Sequence, residues 1–187
     1  MTKTRRLRVG DRVQPLKLPS IAGGELDLES LRGRRYLLSF LRFASCPFCN
    51  LRIHRLVESF DRFAPGFTVV AVFDSPLDDL KRHAERHHAP FPILADEGGA
   101  AHLRFGIEHS LAKTMKGMFL RAPDLLQAMS RGFLPGRPQG SATAMPADLL
   151  IDERGIVQRA LYGSDEGDHL DLEVVTAFSA GVERAAE

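Results

Sequence analysis

Two runs of strand-forming residues constrain this 187-residue chain more than any other feature. "RYLLSFLRF", ending at Phe43, and "GFTVVAVF", which holds a strand from Phe67 to Phe73, are apolar almost throughout. A strand with one wet face alternates apolar and polar residues, and these two do not. They read as strands buried on both faces, which demands a sheet covered by helices on each side. Between them Ile53, Leu56, Val57 and Phe60 recur at helical spacing, with Arg52, Arg55 and Asp61 on other faces.

The remaining segments extend this pattern. "GGELDLESLRG" contains a Gly-Gly turn, a short strand from Glu25 to Leu28 and a helical turn near Glu29 to Leu31. "SPLDDLKRHAERHH" opens as a helix with Ser75 as N-cap and Pro76 in the first turn. "FPILAD" is a short extended segment, and "GGAAHLRFGI" a brief helix ending at Gly106. "ADLLIDERGIVQRALYG" is a hairpin turning at Asp152 to Gly155, and a last helix runs from about Leu170 to Val182. Strands alternating with helices, then a hairpin and a helix, give an α/β fold with a mixed central sheet. No break divides residues 1–187 into two domains.

Composition sets the class of partner. The formal net charge is +1, which gives no reason to expect nucleic acid. The basic stretch "TKTRRLRVGDR" reads as a solvated tail leading into the first strand. No apolar run approaches the roughly 18 residues that cross a bilayer, so no membrane role is expected. The N-terminus carries charges without the apolar stretch of a secretory signal. The expected compartment is therefore cytoplasmic, where thiols stay reduced.

The two cysteines are both in "FASCPFCN", at the junction between the first buried strand and its helix. Pro47 suits the first helical turn, which puts Cys46 at the helix's N-terminal edge. The first amides of a helix lack internal partners and stabilise an anion there. A thiolate so placed has a depressed pKa and becomes the attacking species in disulfide exchange or peroxide reduction. Arg42 and Arg52 add positive charge if they point inward. Two other readings remain. A zinc site would need two histidines, with His83, His87 and His88 as candidates, although these read more simply as surface residues. Alternatively, both cysteines are inert small hydrophobes.

With these residues in place, the chain resembles the thioredoxin-fold redoxins, in particular the alkyl hydroperoxide reductase/thiol-specific antioxidant (AhpC/TSA, peroxiredoxin-like) family. "FLRFASCPFCNLRIHRL" looks like the active-site strand, cysteines and helix. "FDSPLDDLKRHAERHHAPFPILAD" is similar to the next strand–helix–loop unit, and "AMPADLLIDERGIVQRALYG" to the closing hairpin. The resemblance implies a three-layer α/β/α fold and a cis-proline, Pro146 after Met145, facing the cysteines with a free backbone edge for an extended substrate. Pro47 and Phe48, between the cysteines, would support the site with Arg42. The family's Pro-x-x-x-Thr-x-x-Cys pattern is altered. With Cys49 in the peroxidatic position, Cys46 replaces the threonine and Arg42 the proline. The family arginine from the closing strand aligns with Pro146, and Arg137 is a candidate replacement. The buried acid of thioredoxins, six residues before the first cysteine, is Phe40 here.

The resulting expectation is a thiol-dependent oxidoreductase with a Cys46–Cys49 dithiol. It reduces disulfides or hydroperoxides and is recycled by a thioredoxin- or glutathione-type thiol. No metal or other cofactor is required. Cys46 attacks under the thioredoxin analogy and Cys49 under the peroxiredoxin one. The rival is a non-enzymatic redox sensor or binding module switched by the same disulfide. Residues 110–145 form an insertion of two short helices broken before Pro123, with Leu111, Met115, Met118, Phe119, Leu125, Leu126 and Met129 on an apolar side. It reads either as a methionine-bearing lid over the cysteines, or as a pair that packs on the sheet or makes a homodimer contact. In "YGSDEGDH", Asp165, Asp168 and His169 offer either a proton carrier or a helix cap at Asp168.

Overall fold

The computed structural model describes residues 5–182. An N-terminal ribbon pairs β1 (Lys17–Pro19) antiparallel with β2 (Glu25–Asp27). The main sheet is built around β3 (Tyr36–Leu41), which lies parallel to β4 (Thr68–Phe73). β5 (Ile93–Ala95) extends that parallel side. On the other side β6 (Ala147–Ile151) runs antiparallel to β3, and β7 (Val157–Tyr162) closes the hairpin. The strand order β5-β4-β3-β6-β7 puts β3, buried at every position, in the middle.

The helices follow from the connections. Parallel neighbours need a crossover, and α1 (Pro47–Glu58) supplies it between β3 and β4. α2 (Leu77–Ala84) links β4 to β5, and α3 (Ala100–Arg104) follows β5. The insertion forms α4 (Leu111–Leu120) and α5 (Ala122–Ser130), and α6 (Leu172–Ser179) ends the fold. β3 alternates between two cores. Leu37 and Leu41 pack with Ile53, Leu56, Leu80, Val175 and Phe178 under α1, α2 and α6. Tyr36, Leu38 and Phe40 pack with Leu7, Leu16, Ala101 and Phe105 on the opposite face. This is the three-layer arrangement expected from the unbroken apolar run.

Several local expectations are corrected. The basic N-terminal stretch is not a solvated tail from Leu7 onward, because Leu7 is buried and its amide donates to Tyr162 Oη; residues 1–4 lie outside the described set. Ser75 is not a helix cap. Pro76 occupies that position, and the Ser75 hydroxyl instead accepts from the Ala44 amide at 2.8 Å. The last helix is capped by Asp171, whose carboxylate accepts from Glu173, while Asp168 accepts from Ser164. The insertion packs chiefly on α1. α5 lies against α1, with Ala128 and Phe133 enclosing Leu51. Of its methionines, Met115, Met118 and Met129 are exposed, the first two at 51% and 48%. The side chain of Phe119 lies outside the described set.

Candidate active site

Cys46 leaves β3 through a four-residue turn and caps α1, with φ −72° and ψ 122°. Its carbonyl accepts from the Asn50 amide at 3.1 Å, and its own amide donates to Phe43 O. Asn50 Nδ2 donates to both Ala44 O and Cys46 O, at 2.7 and 2.9 Å, which ties the turn to the helix. Pro47 at the first helical position removes an N–H that would have had no partner. Both thiols are free and each is 1% exposed.

The electrostatics separate the two sulfurs. Burial opposes charge on both. At Cys46 it is outweighed by the Cys49 thiol, which donates to its sulfur, by the Arg42 guanidinium, and by the amides of Cys49 and Phe48. Its pKa is lowered to about 7. Burial and the neighbouring Cys46 push Cys49 well above the ordinary thiol range. Arg42 is itself buried, with Nη1 3.9 Å from Cys46 Sγ and Nη2 donating to Ala142 O. The junction predicted Cys46 at the edge of the helix, where it stands, and of the two conditional arginines Arg42 is the one beside its sulfur.

The other expected residues are distributed differently. Arg52 turns away from the sulfurs and pairs with Asp148 at 3.0 Å. Asp148 also accepts from Ser39 and from the Leu170 amide, and lies 3.2 Å from His169 Nδ1. Burial raises its pKa, but His169 and Arg52 more than compensate and hold it well below the usual carboxylate range. His169 is thus engaged with a buried aspartate, and Asp165 is held by Arg121 Nε at 2.7 Å. Pro146 is buried, but no peptide bond among the described residues is cis. The expected cis-proline is therefore a trans strand-start proline. The backbone edge beside it is also occupied, because Met145 N donates to Glu108 O and Ser110 N to Thr143 O, both at 2.8 Å. Met145 is buried in the same place.

A cover over the cysteine turn was legible only as one of two alternatives for the insertion. After Phe133 the chain passes back across it. Ser45 Oγ donates to Arg137 O at 3.2 Å, Gln139 Nε2 to Asp79 at 3.0 Å, and Ser141 N to Asp74 at 3.0 Å. Arg137 thus contributes its carbonyl, not a replacement guanidinium, and its side chain is exposed. Phe133 anchors the segment between Arg86, His87 and His54. His87 is half-buried and hydrogen-bonded to Asn50 at 2.9 Å, with its pKa pushed down to about 4 by burial and then by Arg86 and His54. The surface reading fails for this histidine. A cleft of about 490 Å³ lies at the opposite end of the sheet around Arg35, Asp152 and Phe178. A cleft of about 380 Å³ beside Phe48 is lined by Arg52, Arg55 and Arg121.

Comparison with known proteins decides the family. The family model described as "AhpC/TSA family" matches residues 9–160. The chain belongs to the AhpC/TSA family. A putative peroxiredoxin of Mycobacterium tuberculosis is 30% identical over 122 residues, covering 63% of this chain and 78% of that protein. Peroxiredoxin Bcp of Escherichia coli K12 is 27% identical over 116 residues, covering 60% and 74%. Among solved structures, peroxidoxin BcpB from Mycobacterium tuberculosis superposes with a TM-score of 0.69 at 17% identity, covering 96% of this chain and 100% of that one. A thiol peroxidase from Chromobacterium violaceum reaches 0.66 at 16% identity, covering 96% and 90%. These two confirm the fold. As an AhpC/TSA member the chain is a thiol-dependent oxidoreductase, whose class takes electrons from a thiol reductant and passes them to a peroxide. No helix among the described residues is long and apolar enough to cross a membrane.

Proposed function

We propose that Cys46 is the attacking thiolate and Cys49 the resolving thiol of a dithiol hydroperoxide reductase. The observation that supports this reading is the asymmetry of the pair. One sulfur receives a thiol, an arginine and two amides, and the other is kept protonated by its neighbour. Cys46 attacks the O–O bond and becomes a sulfenic acid, with release of an alcohol. Cys49 then displaces water and forms the Cys46–Cys49 disulfide. A thioredoxin- or glutathione-type thiol, in a cytoplasmic setting, restores the dithiol. Phe48 and Pro47 shape the turn, and Arg42 supplies the charge.

Cys46 is buried between Ser45 and Arg42, and both of these hold the 133–142 segment, so access to the sulfur is expected to need release of its few polar ties. That geometry favours a second use of the same disulfide. Ser45 and Arg42 hold the segment and flank Cys46, so oxidation alters the cover as well as the sulfurs. A redox-switched binding surface is the reading this would support. Mass spectrometry of Cys46→Ser and Cys49→Ser after brief peroxide separates the roles. Sulfenic acid is expected in Cys49→Ser alone. Sulfenic acid confined to Cys46→Ser would reverse the assignment. Sustained peroxide turnover with a dithiol reductant distinguishes the enzyme from the switch.

A further inference from the structure

The cysteine turn is pinned from inside by one buried carboxamide. Asn50 is 2% exposed, and both of its Nδ2 protons are used. Nδ2 donates to Ala44 O at 2.7 Å and to Cys46 O at 2.9 Å. Both partners are carbonyls, which can only accept, so the amino group and not the oxygen faces them. Oδ1 therefore points the other way, at His87 Nε2, 2.9 Å distant. An amide oxygen also only accepts, so His87 Nε2 carries the proton. Burial, with Arg86 and His54, keeps the ring neutral by pushing its pKa down to about 4, which leaves Nδ1 as the bare nitrogen. A single arrangement satisfies all four groups, and it fixes both the amide orientation and the tautomer.

His87 comes from a different part of the chain. It ends the short helical turn Glu85–His87 that follows α2, 37 positions after Asn50. Its ring centroid lies 5.1 Å from that of Phe133, with the planes tilted by 39°. Packing thus holds the ring while Nε2 holds Asn50. The Ala44 amide is fixed separately, by Ser75 Oγ. What Asn50 adds is a hold on the carbonyls on either side of Ser45. Cys46 caps α1, and the amides of Phe48 and Cys49 stabilise its sulfur only while the turn keeps its direction. A carboxamide without the His87 donor is free to rotate about its last torsion. Ala44 O would then lose this donor in a dry interior, where an unmet carbonyl is costly.

We propose that His87 and Asn50 are positioning residues for the reaction: His87 Nε2–H fixes the Asn50 carboxamide, and Asn50 holds the Ala44 and Cys46 carbonyls so that the first amides of α1 stay aimed at the Cys46 sulfur. Both act through the backbone of the turn. This inference rests on the reading of Cys46 as the attacking thiol and names what keeps that thiol acidic besides Arg42. It also separates two jobs of one side chain. The ring of His87 packs the cover's anchor, and its Nε2–H serves the sulfur.

Two substitutions at this one position separate the bond from the packing. His87→Phe keeps a ring against Phe133 and removes the donor. His87→Gln removes the ring and places an amide N–H close to where Nε2 stands. Cys46 is titrated in each by pH-resolved alkylation, with the modified cysteine located by mass, and peroxide oxidation is followed by stopped flow. The expected midpoint in His87→Phe lies about one unit above the natural value of about 7, within the range that a helix N-terminus contributes. Its peroxide rate falls about fivefold at pH 7 and recovers by about pH 9. His87→Gln keeps the midpoint near 7, although the loss of the ring loosens the cover. An unchanged midpoint in His87→Phe, or one raised equally in both variants, overturns the inference and leaves Cys46 as the attacker. Undiminished peroxide reactivity in Cys46→Ser would instead overturn the underlying reading and the inference with it. Nitrogen NMR of the natural protein decides the matter if neither variant folds. A protonated Nε2 and a bare Nδ1 at about pH 7, well above the His87 value, are expected, with slowly exchanging Asn50 Nδ2 protons. The opposite tautomer, or fast exchange of those protons, would overturn it.

Discussion

Replacing Arg42 by methionine removes the charge beside Cys46 while keeping a stem of similar length. The guanidinium nitrogen lies 3.9 Å from the sulfur. At an effective dielectric of about 20, two unit charges at that distance interact by roughly 4 kcal/mol, an upper limit of about three pKa units. Water entering the vacated space and the remaining amides reduce the effect, and a shift of about one to two units is in line with charge pairs at this range. Cys46 then titrates at about 8 to 9 instead of about 7. Its thiolate fraction at pH 7 falls from about one half to roughly 1–10%, so the peroxide rate drops about 5- to 50-fold there and recovers towards pH 10. Thiolate absorbance and pH-resolved alkylation, with the modified cysteine located by mass, read the titration, and stopped-flow oxidation reads the rate. The variant also loses the bond to Ala142 O, which loosens the cover and would speed access. A slower rate at pH 7 despite easier access is therefore the diagnostic pattern. A midpoint that stays near 7 would refute the assignment of the charge to Arg42 and leave the Cys49 thiol and the helix amides as its cause.

Three further outcomes follow from other parts of the structure. Asp148→Asn strands Arg52 in the interior and should cost about 3–5 kcal/mol in denaturant titration. Because the Asp148 pKa is lowered in the folded state, its contribution is present above the unfolded value of about 3.8 and is lost as pH falls below it. Acid melts should show that loss below about pH 4 in the natural protein and a smaller one in the variant. Phe133→Ala removes the anchor between Arg86, His87 and Leu51, with a local cost of about 3–5 kcal/mol. It should raise the alkylation rate of Cys46 and the amide exchange of residues 133–142 more than that of β3. Ser75→Ala leaves the buried Ala44 amide without an acceptor and should destabilise by about 1–3 kcal/mol, read as a lowered Tm.

Local sequence determined the frame and the place of the cysteine pair in it. β3 and β4 are continuous apolar runs, and a strand without alternation must be covered on both faces. Pro47 after Cys46 set the cap of α1, because a residue without an N–H belongs in the first turn. The N-cap placement of one cysteine and the first-turn placement of the other were thus readable from eight residues. The tertiary structure decided everything that joins distant segments. That Arg42 faces Cys46 while Arg52 faces Asp148 depends on which side of the junction each side chain leaves from, and on a partner about a hundred residues away. Glu166 carries no local signal, since a glutamate in a polar turn ordinarily faces water. It is buried because Gly117, nearly fifty residues earlier, leaves room for it. The exposed face of α4 has the same explanation in reverse. Helical periodicity marks an apolar stripe, but only packing shows whether another surface reaches it.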